Sequence, residues 1–150
     1  MNTTHFTYDV NGVTYQVVAD IDKKQFCINR EYIPDDDFMS CQAVVIPTDK
    51  YCTFATKTPD GISMFNTQYN APRTTKKQRI SMRDKDTLTL LTPDRNLLVA
   101  QLDRKTKILY FYWYDGSKAS CLCQIIPRNR NFVMRLETFT YNNTMGSMIY

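Results

Sequence analysis

Apolar and polar side chains alternate along most of this chain in short runs, and each run stops at Gly, Pro, Asn or Asp. A period of two belongs to β-strands with one buried and one wet face. Phe6–Val10 and Val13–Asp20 flank Asn11-Gly12, the pair best suited to the two positive φ angles of a type I′ hairpin turn. The pattern then predicts strands at Gln25–Ile33, Gln42–Ile46, Tyr51–Lys57 and Ile62–Thr67. Asp22-Lys23-Lys24, Pro47-Thr48-Asp49-Lys50 and Pro59-Asp60-Gly61 form turns among them. The second half keeps the cadence with Thr87–Leu91, Leu97–Leu102, Lys107–Tyr114, Ala119–Ile126 and Phe132–Tyr141. In the last of these Phe132, Met134 and Leu136 share a face, while Arg135 and Glu137 point away.

Lys107–Tyr114 differs from the others in being apolar or aromatic on both faces. Ile108, Tyr110, Tyr112 and Tyr114 lie on one side, and Leu109, Phe111 and Trp113 on the other. Such a segment fits a central strand packed on two sides. Its tyrosine face is also a candidate stacking or interface surface.

Helical periodicity is scarce. Its best candidate is Pro34–Cys41, where Asp35, Asp36 and Asp37 would favour a helix N-terminus. About ten short strands joined by hairpin turns, with at most one or two helical turns, predict an all-β antiparallel sandwich or partly open barrel. Val18-Ala19-Asp20-Ile21-Asp22-Lys23-Lys24 is echoed by Val99-Ala100-Gln101-Leu102-Asp103-Arg104-Lys105. Two hairpins obeying the same turn rules explain so short a match better than duplication does.

A chain of 150 residues forms one domain, residues 1–150, able to bury about two thirds of its unfolded surface. No apolar run approaches the roughly 20 residues of a membrane span, and Met1–Phe6 has no secretory character. An intracellular setting, cytoplasmic or nuclear, follows as the expectation. The odd number of cysteines (Cys27, Cys41, Cys52, Cys121 and Cys123) points to buried thiols, not a disulfide framework. Abundant Thr, Asn and Tyr with scarce Ala and Gly is a balance common in proteins from AT-rich genomes, viral ones included.

One stretch breaks the cadence. Gln68–Asp86, a long loop at 68–86, has no strand pattern and carries Arg73, Lys76, Lys77, Arg79 and Arg83 before any acid. With the net charge of +4 it suits phosphate contacts, and Arg128 and Arg130, with Arg135 nearby, form a second basic cluster beside Phe132. Single-stranded nucleic acid, whose bases stack on rings while its backbone follows positive charge, is the partner such a set would take. Lys76-Lys77-Gln78-Arg79 also has the spacing of a short nuclear import signal.

Conventional catalysis finds little material. His5 is the one histidine, placed near a terminus expected to fray, so no Ser–His–Asp or Cys–His pairing can be built without it. Glycines at 12, 61, 116 and 146 exclude a phosphate-binding glycine motif. Cys121-Leu122-Cys123 would put two thiols on one strand face, the start of a zinc site with Cys27, Cys41 or Cys52, but no paired knuckles or histidines accompany it. The run Asp35–Asp37 lacks the spaced ligands of a calcium loop. Pro93-Asp94 with Asp103-Arg104-Lys105 resembles the PD-(D/E)xK nuclease signature, which implies a divalent metal on the two acids and a water placed by Lys105. The same residues fall at opposite ends of Leu97–Leu102, roughly 25 Å apart at strand rise.

The sequence therefore predicts a non-catalytic binding domain without cofactor or metal. Nucleic acid would be bound through Arg73, Lys76, Lys77, Arg79, Arg83, Arg128 and Arg130, with Tyr110, Tyr112 and Tyr114 as stacking or interface residues. The alternative is a protein–protein interaction or assembly module, a homo-oligomer among its forms, built on tyrosine-rich strands and open sheet edges. No membrane association is expected.

Overall fold

The computed structural model describes residues 2–30, 41–70, 81, 84–128 and 131–137. Eleven strands and no helix occur among them. The first sheet has the order β1 (Thr3–Val10), β2 (Val13–Asp20), β3 (Gln25–Arg30), β4 (Cys41–Pro47), β5 (Tyr51–Thr58) and β6 (Gly61–Gln68). The second runs β11 (Asn131–Leu136), β10 (Ala119–Arg128), β9 (Ile108–Tyr114), β8 (Leu97–Asp103) and β7 (Thr87–Leu91). Every neighbouring pair is antiparallel, so each sheet is a meander of consecutive hairpins. The two sheets pack face to face as an all-β sandwich, not closed into a barrel. No helix among the described residues is long and apolar enough to cross a membrane.

Turn chemistry sets the strand ends. Asn11 and Gly12 take φ angles of 51° and 82°, as a type I′ turn requires. Elsewhere an aspartate holds the turn: Asp20 Oδ1 accepts from the Lys23 N–H at 3.0 Å, and Asp103 Oδ1 from that of Lys105 at 2.9 Å. Asp115 Oδ1 likewise accepts the N–H groups of Ser117 and Lys118. Lys107, expected in a strand, closes the turn after β8 with φ 63° and donates to the Asp103 carbonyl at 2.7 Å. Lys24 is its counterpart after β2, with φ 57°. In the sequence echo Lys24 aligns with Lys105, so the two turns are displaced by two residues. The turn-closing lysines are thus not equivalent positions of the echo.

The core lies between the sheets. Phe26 and Ile28 on β3 and Phe54 on β5 meet Leu98 on β8, Leu109 and Phe111 on β9 and Ile125 on β10, all fully buried. The Phe111 ring stands edge-on to both Phe26 and Phe54, at 5.5 Å from each. Tyr15 closes one flank against Phe132 at 4.8 Å.

Several expectations need correction. A β-bulge between Cys121 and Cys123 inserts Leu122, so Cys121 pairs with Tyr112 on the outer face while Cys123 pairs with Phe111 on the inner one. The two thiols do not share a face, which removes the basis for a zinc pair. His5 is not frayed: it sits in β1 opposite Val18. Pro127 continues β10 instead of ending it, at a point where pairing with β9 has stopped and a missing N–H is tolerated. Glu137 does not point into solvent; it is buried and accepts a hydrogen bond from the Gln124 amide. The Asp35–Asp37 run lies outside the described residues.

Because Phe111 is the ring against which both aromatic neighbours rest, Phe111→Ala is expected to lower unfolding stability by about 3–5 kcal/mol. Leu91→Ala, at a site 63% exposed, should stay within roughly 0.5 kcal/mol. Urea denaturation of the two variants and the parent checks both values.

Candidate nucleic-acid interface

β9 is the middle strand of the five-stranded sheet, so its tyrosines form a column along the centre of the outer face. The register assigns each tyrosine a row. Leu91, Leu97, Tyr114 and Ala119 make the first, and Thr89, Val99, Tyr112 and Cys121 the second. The third row is polar: Thr87, Gln101, Tyr110, Gln124 and Arg135. Apolar character thus fades along the column towards Tyr110.

Burial follows the rows. Tyr112 is only 5% exposed and forms a small cluster with Val99, Ala119 and Cys121, against which Leu97, Tyr110 and Tyr114 pack. The Tyr110 and Tyr112 rings are nearly parallel, 15° apart with centroids at 6.0 Å. Tyr110 and Tyr114 are half-buried and keep part of each ring accessible. Desolvation raises the Tyr110 phenol above its ordinary value, with Asp103 adding to the effect and Arg135 opposing it. The phenol stays neutral at physiological pH and can both donate and accept.

The segment between the sheets is held at both described ends. At its start Tyr69 is buried, donates to the Thr48 carbonyl at 2.7 Å and stacks on Trp113 at 6.5 Å. At its end Ser81 meets the third row: its carbonyl accepts from the Gln101 amide at 3.3 Å and from the Thr87 hydroxyl at 3.4 Å. Gln101 also donates to Thr87 at 3.0 Å. Ser81, two positions after Arg79, therefore sits one strand away from Tyr110.

Asp86 completes the anchor. Arg104 grips its carboxylate with Nε and Nη2, each at 2.8 Å, and Nη2 also donates to the Thr7 carbonyl of β1 at 2.9 Å. One guanidinium thereby ties the edge of the first sheet to the entry of the second. The hydrogen bonds from Arg104 hold the Asp86 carboxyl below the usual carboxylate range, against a smaller opposing effect of burial.

Among the expected phosphate ligands, Arg128 lies exposed at the end of β10, opposite Asn131 and on the tyrosine side. It is four residues, or about 13 Å at strand rise, beyond the Gln124 row. Arg73, Lys76, Lys77, Arg79, Arg83 and Arg130 lie outside the described residues, as does the import-like Lys76–Arg79. Arg135 is exposed in the row of Tyr110, two strands away across Gln124. Gln101 and Gln124 were not foreseen, because their place beside Tyr110 depends on strand pairing and on the bulge at Leu122.

The nuclease arrangement does not form. Asp94 lies in the turn after β7, where partial desolvation raises its carboxyl but hydrogen bonds from Thr92, Asn96 and Trp113 bring it below its ordinary value. Asp103 ends β8. The whole of that strand, about 20 Å at strand rise, lies between them, too far for one metal. Among the described residues no three His, Cys, Asp or Glu side chains converge as metal ligands.

The depressed carboxyl of Asp86 gives a pH dependence with a definite sign. The clamp contributes fully above the unfolded value of about 4 and is lost as pH falls through the lower folded value. Since Arg104 is partly exposed, Asp86→Asn is expected to cost only about 1 kcal/mol at neutral pH. It should cost nothing in strong acid, with urea midpoints at the two pH values as the check. Comparison with family models, curated proteins and solved structures finds no match to this chain.

Proposed function

We propose that the protein is a non-catalytic domain that binds single-stranded nucleic acid across the outer face of its five-stranded sheet. The observation that carries this reading is the seat of Ser81 on Thr87 and Gln101, beside Tyr110. It sets Ser81, a neighbour in sequence of the basic residues, on the tyrosine face, which supports the reading. Arg73, Lys76, Lys77, Arg79, Arg83 and Arg130 supply phosphate contacts, with Arg128 and Arg135 along the far side of the sheet. Tyr110 and Tyr114, the half-buried members of the column, offer ring surface to bases. Tyr112 is too enclosed for that and supports its neighbours from within the cluster.

Aromatic rings that accept bases and cations that follow the backbone give weak sequence preference and strong salt dependence. Five phosphate contacts correspond to a slope of roughly 3.5 in log affinity against log salt. Fluorescence anisotropy with a labelled single-stranded oligonucleotide over a salt series measures it. Replacing Arg73, Lys76, Lys77 and Arg79 together by Ala should weaken binding and flatten the slope. Tyr110→Ala should cost about 1–3 kcal/mol with the slope retained. A salt-independent affinity, or one indifferent to the basic replacements, rejects the proposal.

A further inference from the structure

The first sheet ends in a strand that lacks the usual defences of an exposed edge. β6 is paired with β5 over all eight of its residues, from Thr58↔Gly61 to Tyr51↔Gln68, without a bulge. Among the described residues it has no neighbour on its other side. Its sequence, Gly61-Ile62-Ser63-Met64-Phe65-Asn66-Thr67-Gln68, contains no charge and no proline. Long, flat, uncharged edges are templates for further strand pairing, and proteins normally blunt them with charge, shortness or bulges. The other three edges do carry such features. β1 holds Asp9, β7 has only five residues, and β11 holds Arg135.

Backbone geometry shows what β6 offers. In a two-residue hairpin the flanking pair, here Thr58 and Gly61, is hydrogen-bonded, and alternation turns the N–H and C=O groups of Ile62, Met64 and Asn66 away from β5. On the outer face the same region is apolar. His5, Val18, Cys27, Val44, Ala55 and Met64 form one register row across all six strands. The row ends on β6, the last strand of the sheet among the described residues, where Met64 is 62% and Ile62 71% exposed.

We infer that two copies of this chain associate through β6, pairing antiparallel about a two-fold axis at Met64 and joining their first sheets edge to edge. The occupant is a second copy because the strand is complementary to itself. Antiparallel pairing centred on Met64 sets the outward N–H and C=O groups of Ile62, Met64 and Asn66 against the same groups of the other copy. An uncharged strand also meets its twin without like-charge repulsion. The two Met64 side chains meet at the axis with Ile62 of each copy diagonal to them, so the apolar row runs on from one sheet into the next. The association uses the sheet opposite the tyrosine face and stands or falls independently of nucleic-acid binding.

Sedimentation velocity on the full chain tests it without added ligand. The expected result is a species of twice the 17.6 kDa chain mass that dissociates on dilution. Met64→Lys, which places a charge on the axis, should sediment as a monomer with an unchanged circular dichroism spectrum. Ile62→Lys is the second variant should the first fail to fold. Amide exchange supplies an independent readout. Ile62, Met64 and Asn66 should gain protection with concentration, while Ser63 and Phe65, already bonded to β5, should not. A parent protein that stays monomeric at the highest soluble concentration overturns the inference. So does a dimer that survives both lysine variants, or exchange that shows no alternation along β6.

Discussion

The structure depends on one strand that must be buried on both sides. β9 lies in the middle of its sheet, and its inward residues Leu109 and Phe111 are fully enclosed between the sheets. Phe111 meets Phe26 and Phe54 edge-on, so a single ring on the second sheet organises two strands of the first. Around it the facing positions alternate in size, with Ala19, Ala43 and Ala100 giving room to the rings. A sandwich of two meanders has no strand that crosses between its sheets, so this packing has to hold the layers together.

Two contacts at the rim support the core. Tyr69 fastens the exit of the first sheet onto Trp113, and Arg104 bridges Asp86 to the Thr7 carbonyl where the second sheet begins. Each joins residues remote in sequence, and together they hold the described ends of the connection from β6 to β7. The basic segment therefore runs between two anchored points, and Ser81 ties its later part to the third row of the tyrosine face. Loops that carry function on a rigid scaffold need such fixed ends, since every residue they order on binding costs conformational entropy.

Local chemistry made the strands legible in the sequence. Asn11-Gly12 marks the first hairpin, and Val13–Asp20 and Thr87–Leu91 occupy the residues that alternation assigns to them. What could not be read depends on pairing across strands. The bulge at Leu122 shifts the parity of β10, separating Cys121 from Cys123 and bringing Gln124 beside Tyr110. No single-strand periodicity reveals an inserted residue, because the period itself is what the bulge breaks. Glu137 went the same way: its burial comes from its partner Gln124, not from its own strand pattern. Lys107 was misplaced because a left-handed lysine closing a turn looks, in sequence, like the first residue of the strand it precedes.

The candidate site shows why residue type alone could not rank the three tyrosines. Large rings on the middle strand lie beside small residues on its neighbours, Val99 on one side and Ala119 and Cys121 on the other. These are buried although they face away from the sandwich interior. The outer face thus has a second, smaller core, and Tyr112 belongs to it. Tyr110 stands at its boundary, with apolar neighbours along the strand and Gln101 and Gln124 across it. A ring at such a boundary is held upright by packing on one side and remains reachable from the other. That combination of rigidity and access is what an aromatic contact to a ligand requires. Position in the register, set by the pairing of β8, β9 and β10, separates the tyrosine that keeps part of its ring accessible from the one committed to the fold.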